Sequence, residues 1–126
     1  MPNYANNPDR VSWLNVDPHS DFPIQNIPFG VFLTSDDVIT IGTRIGDTAI
    51  DLGALHKLGY FDEIPLIADI FLQDTLNDFI ADGHQTWRAV RNRIAELFDA
   101  NNTSLKSNIQ HKNTVLFRLD EIEMKL

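Results

Sequence analysis

The sequence predicts a mainly β domain with helices appended, an α+β arrangement. Three observations carry this expectation. Short runs alternate apolar and polar residues between residues 29 and 52, one long amphipathic stripe covers residues 85–98, and from Val115 onward apolar and charged residues alternate again. At 126 residues the chain suits one domain and is short for two. A chain of this size buries roughly two-thirds of the surface its unfolded form exposes, so one core is expected.

Composition removes several classes of function. Acidic residues outnumber basic ones 18 to 10, for a formal charge of −8. Neutralising phosphates needs clustered Lys and Arg, so no nucleic-acid partner is expected, and an anionic membrane surface is disfavoured for the same reason. The absence of cysteine excludes disulfides, thiolate catalysis and cysteine-ligated metals. No run approaches the roughly 18 apolar residues of a membrane helix. Met1-Pro2-Asn3-Tyr4-Ala5 has neither the basic head nor the apolar body of a signal peptide. The expected location is the cytoplasm, with no membrane partner.

Residues 1–19 mix Asn, Pro and Asp with apolar islands at Val11 and Trp13-Leu14, the composition of an irregular arm that packs in places. A proline-framed run follows at residues 20–32. Pro23 and Pro28 each fix φ at about −65° and hold Phe22 and Ile27 out of helix, so the run leads, extended, into a first strand at Gly30, Val31, Phe32 and Leu33. Ser35-Asp36-Asp37 has the composition of a turn. In residues 38–45 Ile39, Ile41 and Ile45 are expected to face the core while Thr40 and Arg44 face water. Gly46-Asp47 reverses the chain, and Thr48-Ala49-Ile50-Asp51-Leu52 pairs back with Ile50 and Leu52 inward. Residues 29–52 therefore read as a three-stranded meander.

Beyond Leu52 the period changes. Leu55 and Leu58 lie between Gly53 and Gly59, enough for one short helical turn. A helix of about two turns begins at Asp74 or Thr75, either able to cap free N–H groups. It runs through Leu76, Phe79 and Ile80 to Gly83, a candidate left-handed C-terminal residue. The strongest helix places Trp87, Val90, Ile94, Leu97 and Phe98 on one face, a stripe expected to dock on the strands. Polar residues 99–103 end it, and Leu105 with Ile109 suggests a further short helix. In residues 115–126, Ile122, Met124 and Leu126 alternate with Glu123 and Lys125, a strand pattern without a terminator. A chain that stops in mid-alternation is expected to continue into further protein; the alternative is an edge strand that happens to come last.

Ser20-Asp21-Phe22-Pro23-Ile24, Asn26 and Pro28-Phe29-Gly30-Val31-Phe32 resemble the opening of the N-terminal domain of the fumarylacetoacetase family. Ile41-Gly42, Ile45-Gly46-Asp47 and Ile50-Asp51-Leu52 are similar to the family's paired strands. Thr75-Leu76-Asn77, Phe79 and Trp87-Arg88 resemble its helical segment, and Glu121-Ile122-Glu123-Met124-Lys125-Leu126 the strand that leads into its catalytic domain. Each motif is common; their order and spacing across residues 20–126 are specific. Thr43-Arg44 depart from the pattern, standing where two small apolar residues are expected, which bears on how that edge packs. The resemblance implies a small SH3-like, partly open barrel in residues 20–126, an irregular arm in residues 1–19, and a catalytic domain after residue 126.

It also implies an activity whose reacting groups lie elsewhere. The family hydrolyses fumarylacetoacetate to fumarate and acetoacetate, the last step of tyrosine and phenylalanine degradation. It uses a divalent metal (calcium or magnesium), a water-activating histidine and glutamate, and carbonyl-stabilising cations, all in the catalytic domain. No cofactor is expected in this chain. The implied partners are its own C-terminal catalytic domain and, in the full-length protein, a second copy in a homodimer.

The residues themselves offer no catalytic constellation. His19, His56, His84 and His111 are far apart and none forms an H-x-x-x-H pair. Asp36-Asp37 and Asp120-Glu121 with Glu123 read as solvated acids. Asp78 and Asp82 fall at i,i+4 on one helix face, with Asp78 near the positive helix start, which suits a solvated face better than a cation site. Ser20, Ser35 and Thr34 have no neighbouring histidine to activate them. Gly42, Gly46 and Gly53 form neither a dinucleotide fingerprint nor a phosphate loop, and read as hairpin and turn glycines. Arg88 and Arg91, with Arg93 nearby, offer either a docking face for an acidic partner or a solvated face balanced by Glu96. Trp87, Phe22, Phe29 and Phe32 suit a core better than a ligand pocket. No catalytic, cofactor-binding or metal-binding residue is assigned, and the chain alone is expected to be inactive. Besides an accessory domain, a free-standing SH3-like interaction module fits the same residues.

Overall fold

The computed structural model describes residues 11–14, 16, 24, 27–34, 37–66, 70–72 and 76–125. His19, Ser20, Phe22, Ser35, Asp36, Asp74, Thr75 and Leu126, and the side chains of Asp78 and Met124, lie outside that set.

Five short strands form one antiparallel sheet: β1 (Gly30–Thr34), β2 (Ile39–Ile45), β3 (Thr48–Asp51), β4 (Leu116–Arg118) and β5 (Ile122–Lys125). The order across the sheet is β4-β3-β2-β1-β5. The expected meander is its centre. Gly46-Asp47 closes the β2–β3 hairpin beyond the Ile45–Thr48 pair, and the β1–β2 turn holds Asp37 at φ 61°. The closing residues are more than one strand. They start on the β3 side as β4, turn through a 3-10 segment (Leu119–Glu121), and finish on the β1 side as β5. One short segment thus serves both outer edges, which curls the sheet into a partly open, SH3-like half-barrel.

Strand register separates two faces. Val31, Ile41, Ile45 and Ile50 point into the main core, where they join Leu55, Phe71, Ile94 and Leu97. Gly30, Phe32, Gly42, Arg44 and Ala49 belong to the opposite face, with Phe117 beside Phe32 at a ring-centroid distance of 6.4 Å.

Thr40 departs from the expectation that it faces water: it is fully buried. Past the end of β3 the third chain beside β2 is an irregular segment, whose Phe71 carbonyl accepts from the Ile41 N–H at 2.7 Å. The Thr40 hydroxyl, closed in by that segment, donates to the Asp51 carboxylate at 2.8 Å. Asp51 itself caps helix α1 (Leu52–Lys57), accepting from the Ala54 N–H at 3.0 Å. The polar position is tolerated inside because an internal acceptor is waiting for it.

Thr43 tells the other side of that rule. It is only 6% exposed, and among the described residues its hydroxyl has no hydrogen-bond partner. An unsatisfied buried hydroxyl costs roughly 1–3 kcal/mol. Thr43→Val is therefore expected to stabilise the chain by about 1 kcal/mol, seen as a higher urea midpoint at unchanged slope. A lower midpoint would show that the hydroxyl is satisfied.

Three more helices complete the core: α2 (Asn77–Ala81), α3 (His84–Phe98) and α4 (Ile109–Val115). Gly83 links α2 to α3 with φ 98° and ψ 166°, an extended mirror conformation that only glycine enters readily, and not the left-handed helical one. The α3 stripe buries Val90, Ile94, Leu97 and Phe98 in the same core as the strand isoleucines. Irregular chain clasps the helix itself: Trp13 at its end, Ile27 at Arg91, and Tyr60 at Arg93. The expected further short helix is present as α4, but it begins at Ile109 and leaves Leu105 outside it. Leu105 plugs the core from the turn before α4, Asn108 caps the helix at the His111 N–H, and Ile109 is 68% exposed. The capping side chain sets the helix start, and with it the face that turns inward.

Candidate functional site

The face of the sheet opposite the main core carries a groove of about 310 Å³. Its floor is Gly30, Phe32, Gly42 and Ala49 of the sheet; its walls are Pro28 and Phe29 of the lead-in on one side and Leu119 and Ile122 of the closing segment on the other. Pro28 explains the first wall, because it holds Ile27 out of helix and so brings the lead-in alongside β1. Arg91 then fixes the lead-in: its Nε donates to the Ile27 carbonyl at 3.0 Å, and its guanidinium lies 5.0 Å from the Phe29 ring centre. The second wall exists because Asp120 and Glu121 break the alternation of the closing segment. Arg118 folds over this break, its N–H reaching the Glu121 carboxylate at 2.8 Å and its side chain lying 3.2 Å from Asp120.

The groove is apolar. Its one described cationic lining residue, Arg44, bends back to the hairpin, where Nε donates to the Gly46 carbonyl at 2.9 Å and a terminal nitrogen lies 3.4 Å from Asp47. No acid–base pair lines the groove among the described residues. It can bury an apolar side chain; it carries no group that could move a proton at neutral pH.

The sequence-nominated polar residues are scattered. Each described histidine ring sits against an aromatic ring: His56 is 5.7 Å from Phe71, His84 is 4.7 Å from Trp87, and His111 is 5.5 Å from Tyr60. Asp82 is the C-cap of α2 and keeps helical φ and ψ (−71° and −14°); the Asp78 side chain lies outside the described residues. Among the described residues no three histidine or carboxylate side chains converge on a point. The arginines divide: Arg91 holds the lead-in, Arg93 donates to the Tyr60 carbonyl at 2.7 Å and reaches Glu96 at 3.5 Å, and Arg88 is exposed. Arg88 and Arg91 are both exposed on α3.

Sequence reasoning missed one polar contact. The Tyr60 hydroxyl and His111 Nδ1 share a hydrogen bond of 2.6 Å, fastening the loop after α1 to α4. Burial pushes the Tyr60 phenol above its ordinary range, while the Arg93 charge acts in the opposite direction. No local pattern announces a pair so far apart in the chain. Leu119 was a missed groove residue with a legible signal, the two successive acids that interrupt the period of two.

A curled five-stranded sheet, closed by a 3-10 turn and backed by helices, defines the class as a partly open SH3-like barrel domain. The chain belongs to the fumarylacetoacetase family: a profile described as Fumarylacetoacetase N-terminal matches residues 25–126. Among curated proteins it is similar to the fumarylacetoacetase of Arabidopsis thaliana, 35% identical over 115 residues, covering 90% of this chain and 27% of that protein. The Dictyostelium discoideum fumarylacetoacetase is 33% identical over 116 residues, covering 91% and 27% respectively. The Homo sapiens protein is 34% identical over 101 residues, covering 79% and 24%. The chain thus spans about a quarter of the length of the relatives it matches.

Proposed function

We propose that this chain is the supporting N-terminal domain of a fumarylacetoacetate hydrolase, which converts fumarylacetoacetate and water to fumarate and acetoacetate in the cytoplasm, at the end of tyrosine and phenylalanine degradation. The observation that carries this is the family match over residues 25–126, joined to an architecture whose groove over the sheet is apolar among the described residues. The domain packs on the catalytic domain and shapes access to its site; the full-length protein is a homodimer. The divalent metal, calcium or magnesium, belongs to the catalytic domain. The described residues here do not fit such an ion, since hard cations take six or more oxygen ligands and no three carboxylates or histidines of this chain converge. Within the chain, Arg91 and the Thr40–Asp51 pair keep the lead-in and α1 in place, so that the domain presents a fixed surface.

The test is direct. The purified chain, given fumarylacetoacetate with magnesium or calcium, is expected to leave the substrate at its uncatalysed rate. Turnover that follows the amount of this chain would overturn the assignment.

A further inference from the structure

We propose that the apolar groove between Pro28-Phe29 and Leu119/Ile122 is the surface on which the remainder of a fumarylacetoacetase polypeptide docks, by inserting an apolar side chain; this rests on the supporting-domain function above. Three observations converge on that occupant. The relatives carry about three quarters of their length outside the part this chain matches, so a large body of further polypeptide belongs beside this domain. Register says where it leaves. β5 runs antiparallel to β1 with Ile122 opposite Thr34 and Lys125 opposite Val31, so the strand heads toward Gly30, the residue that joins β1 to Phe29 and Pro28. Polypeptide that follows this strand in the relatives therefore departs alongside the groove wall. The third observation is chemical. Both walls and the floor are apolar and half-open, and Arg44 is turned back onto Gly46 and Asp47, so the groove suits an apolar side chain better than an anion.

The other exposed apolar residues do not compete. Val11, Val38, Ile80 and Ile109 stand on separate elements, the scattered exposure that ordinary surfaces show.

Hydrogen exchange tests the proposal in an intact polypeptide, a full-length Arabidopsis thaliana fumarylacetoacetase in which this chain replaces the matched segment. Amides of Ile27, Phe29 and residues 119–121, all outside the strand ladders, are expected to exchange at least tenfold more slowly there than in the 126-residue chain alone. Amides at the start of α4 around Ile109 are expected to change less than twofold. Leu119→Glu in the long polypeptide should abolish the groove protection, while Ile109→Glu should leave it. The unsubstituted protection map decides the matter even where Leu119→Glu fails to fold. Protection confined to α2, α3 or α4 would overturn the docking surface and spare the supporting-domain function; no added protection anywhere would overturn both. Self-association of the 126-residue chain that Leu119→Glu removes would name a second copy as the occupant and overturn the proposal.

Discussion

Replacing Gly42 with alanine is expected to destabilise the fold by at least about 3 kcal/mol, at the upper end of what overpacking costs. A Cβ at this position would lie 1.8 Å from Phe32 Cε1, 2.6 Å from Phe32 Cζ and 2.6 Å from the Ile50 carbonyl oxygen. Neither neighbour can give way cheaply. The Phe32 ring is buried and flanked by Phe117, and the Ile50 carbonyl is backbone of β3. Small domains are stable by only about 5–15 kcal/mol, so the substitution removes a large share of the total. Urea unfolding followed by circular dichroism should show the loss as a lower midpoint. Pairing it with Phe32→Leu relieves the ring contact but not the carbonyl contact, so the double variant should cost less than the two single losses summed. A Gly42→Ala protein that unfolds at the original midpoint would show that β2 and the Phe32 ring do not approach so closely.

The second large effect is expected at Trp13. Its indole stacks on Phe98 at 5.0 Å, its Nε1 donates to the Leu97 carbonyl at 2.8 Å, and its backbone N–H donates to the Phe98 carbonyl at 2.9 Å. Ser12 bridges Asp99, and the Val11 carbonyl accepts from the Ala100 N–H at 2.7 Å, so the segment is tied to the end of α3 at three successive residues. Trp→Ala in a core costs roughly 3–5 kcal/mol; Trp13 is half-buried, so about 2–3 kcal/mol is expected. Trp13→Phe keeps the stack and loses the indole donor, which should cost about 1 kcal/mol. Equilibrium denaturation of both variants separates packing from the hydrogen bond. If Trp13→Ala unfolds within about 0.5 kcal/mol of the parent chain, as surface substitutions do, the segment does not cover the core.

These two residues show which parts of the fold could be read in advance. The meander and the long helix were legible because their periods are local: Ile39, Ile41 and Ile45 fall on one side of a two-residue period, and Val90, Ile94 and Leu97 recur every third or fourth residue. Gly42 was legible only as a hairpin or turn glycine, whereas it lies inside β2 and is needed because an aromatic ring crosses it. Thr40 was misread because alternation tells which side of a strand a residue takes and not whether that side is covered; the cover comes from Phe71 and Asp51. The three arginines are a further case. Their spacing offered either a docking face at Arg88 and Arg91 or a solvated face balanced by Glu96; Arg93 does reach Glu96, and what the spacing could not show is that Arg91 and Arg93 also donate to the carbonyls of Ile27 and Tyr60.

The groove divides in the same way. Phe29, Phe32 and the prolines were visible as a family-specific run, and Ile122 as part of a closing strand. That the two ends of the chain meet over Gly30 and Gly42 was not visible, because strand partners far apart in sequence leave no trace in local periodicity.

By itself the sequence determined the central strands, the long helix, the family and the acidic character of the chain, since those depend on residue types and short spacings. Only the tertiary structure decided that the last strands flank the first three, that Thr40 lies inside, and that the lead-in and the closing turn become two walls of one groove. The physical reason is that long-range pairing in a sheet is chosen by which apolar faces can be buried together. That is a property of the whole packed chain and not of any one stretch of it.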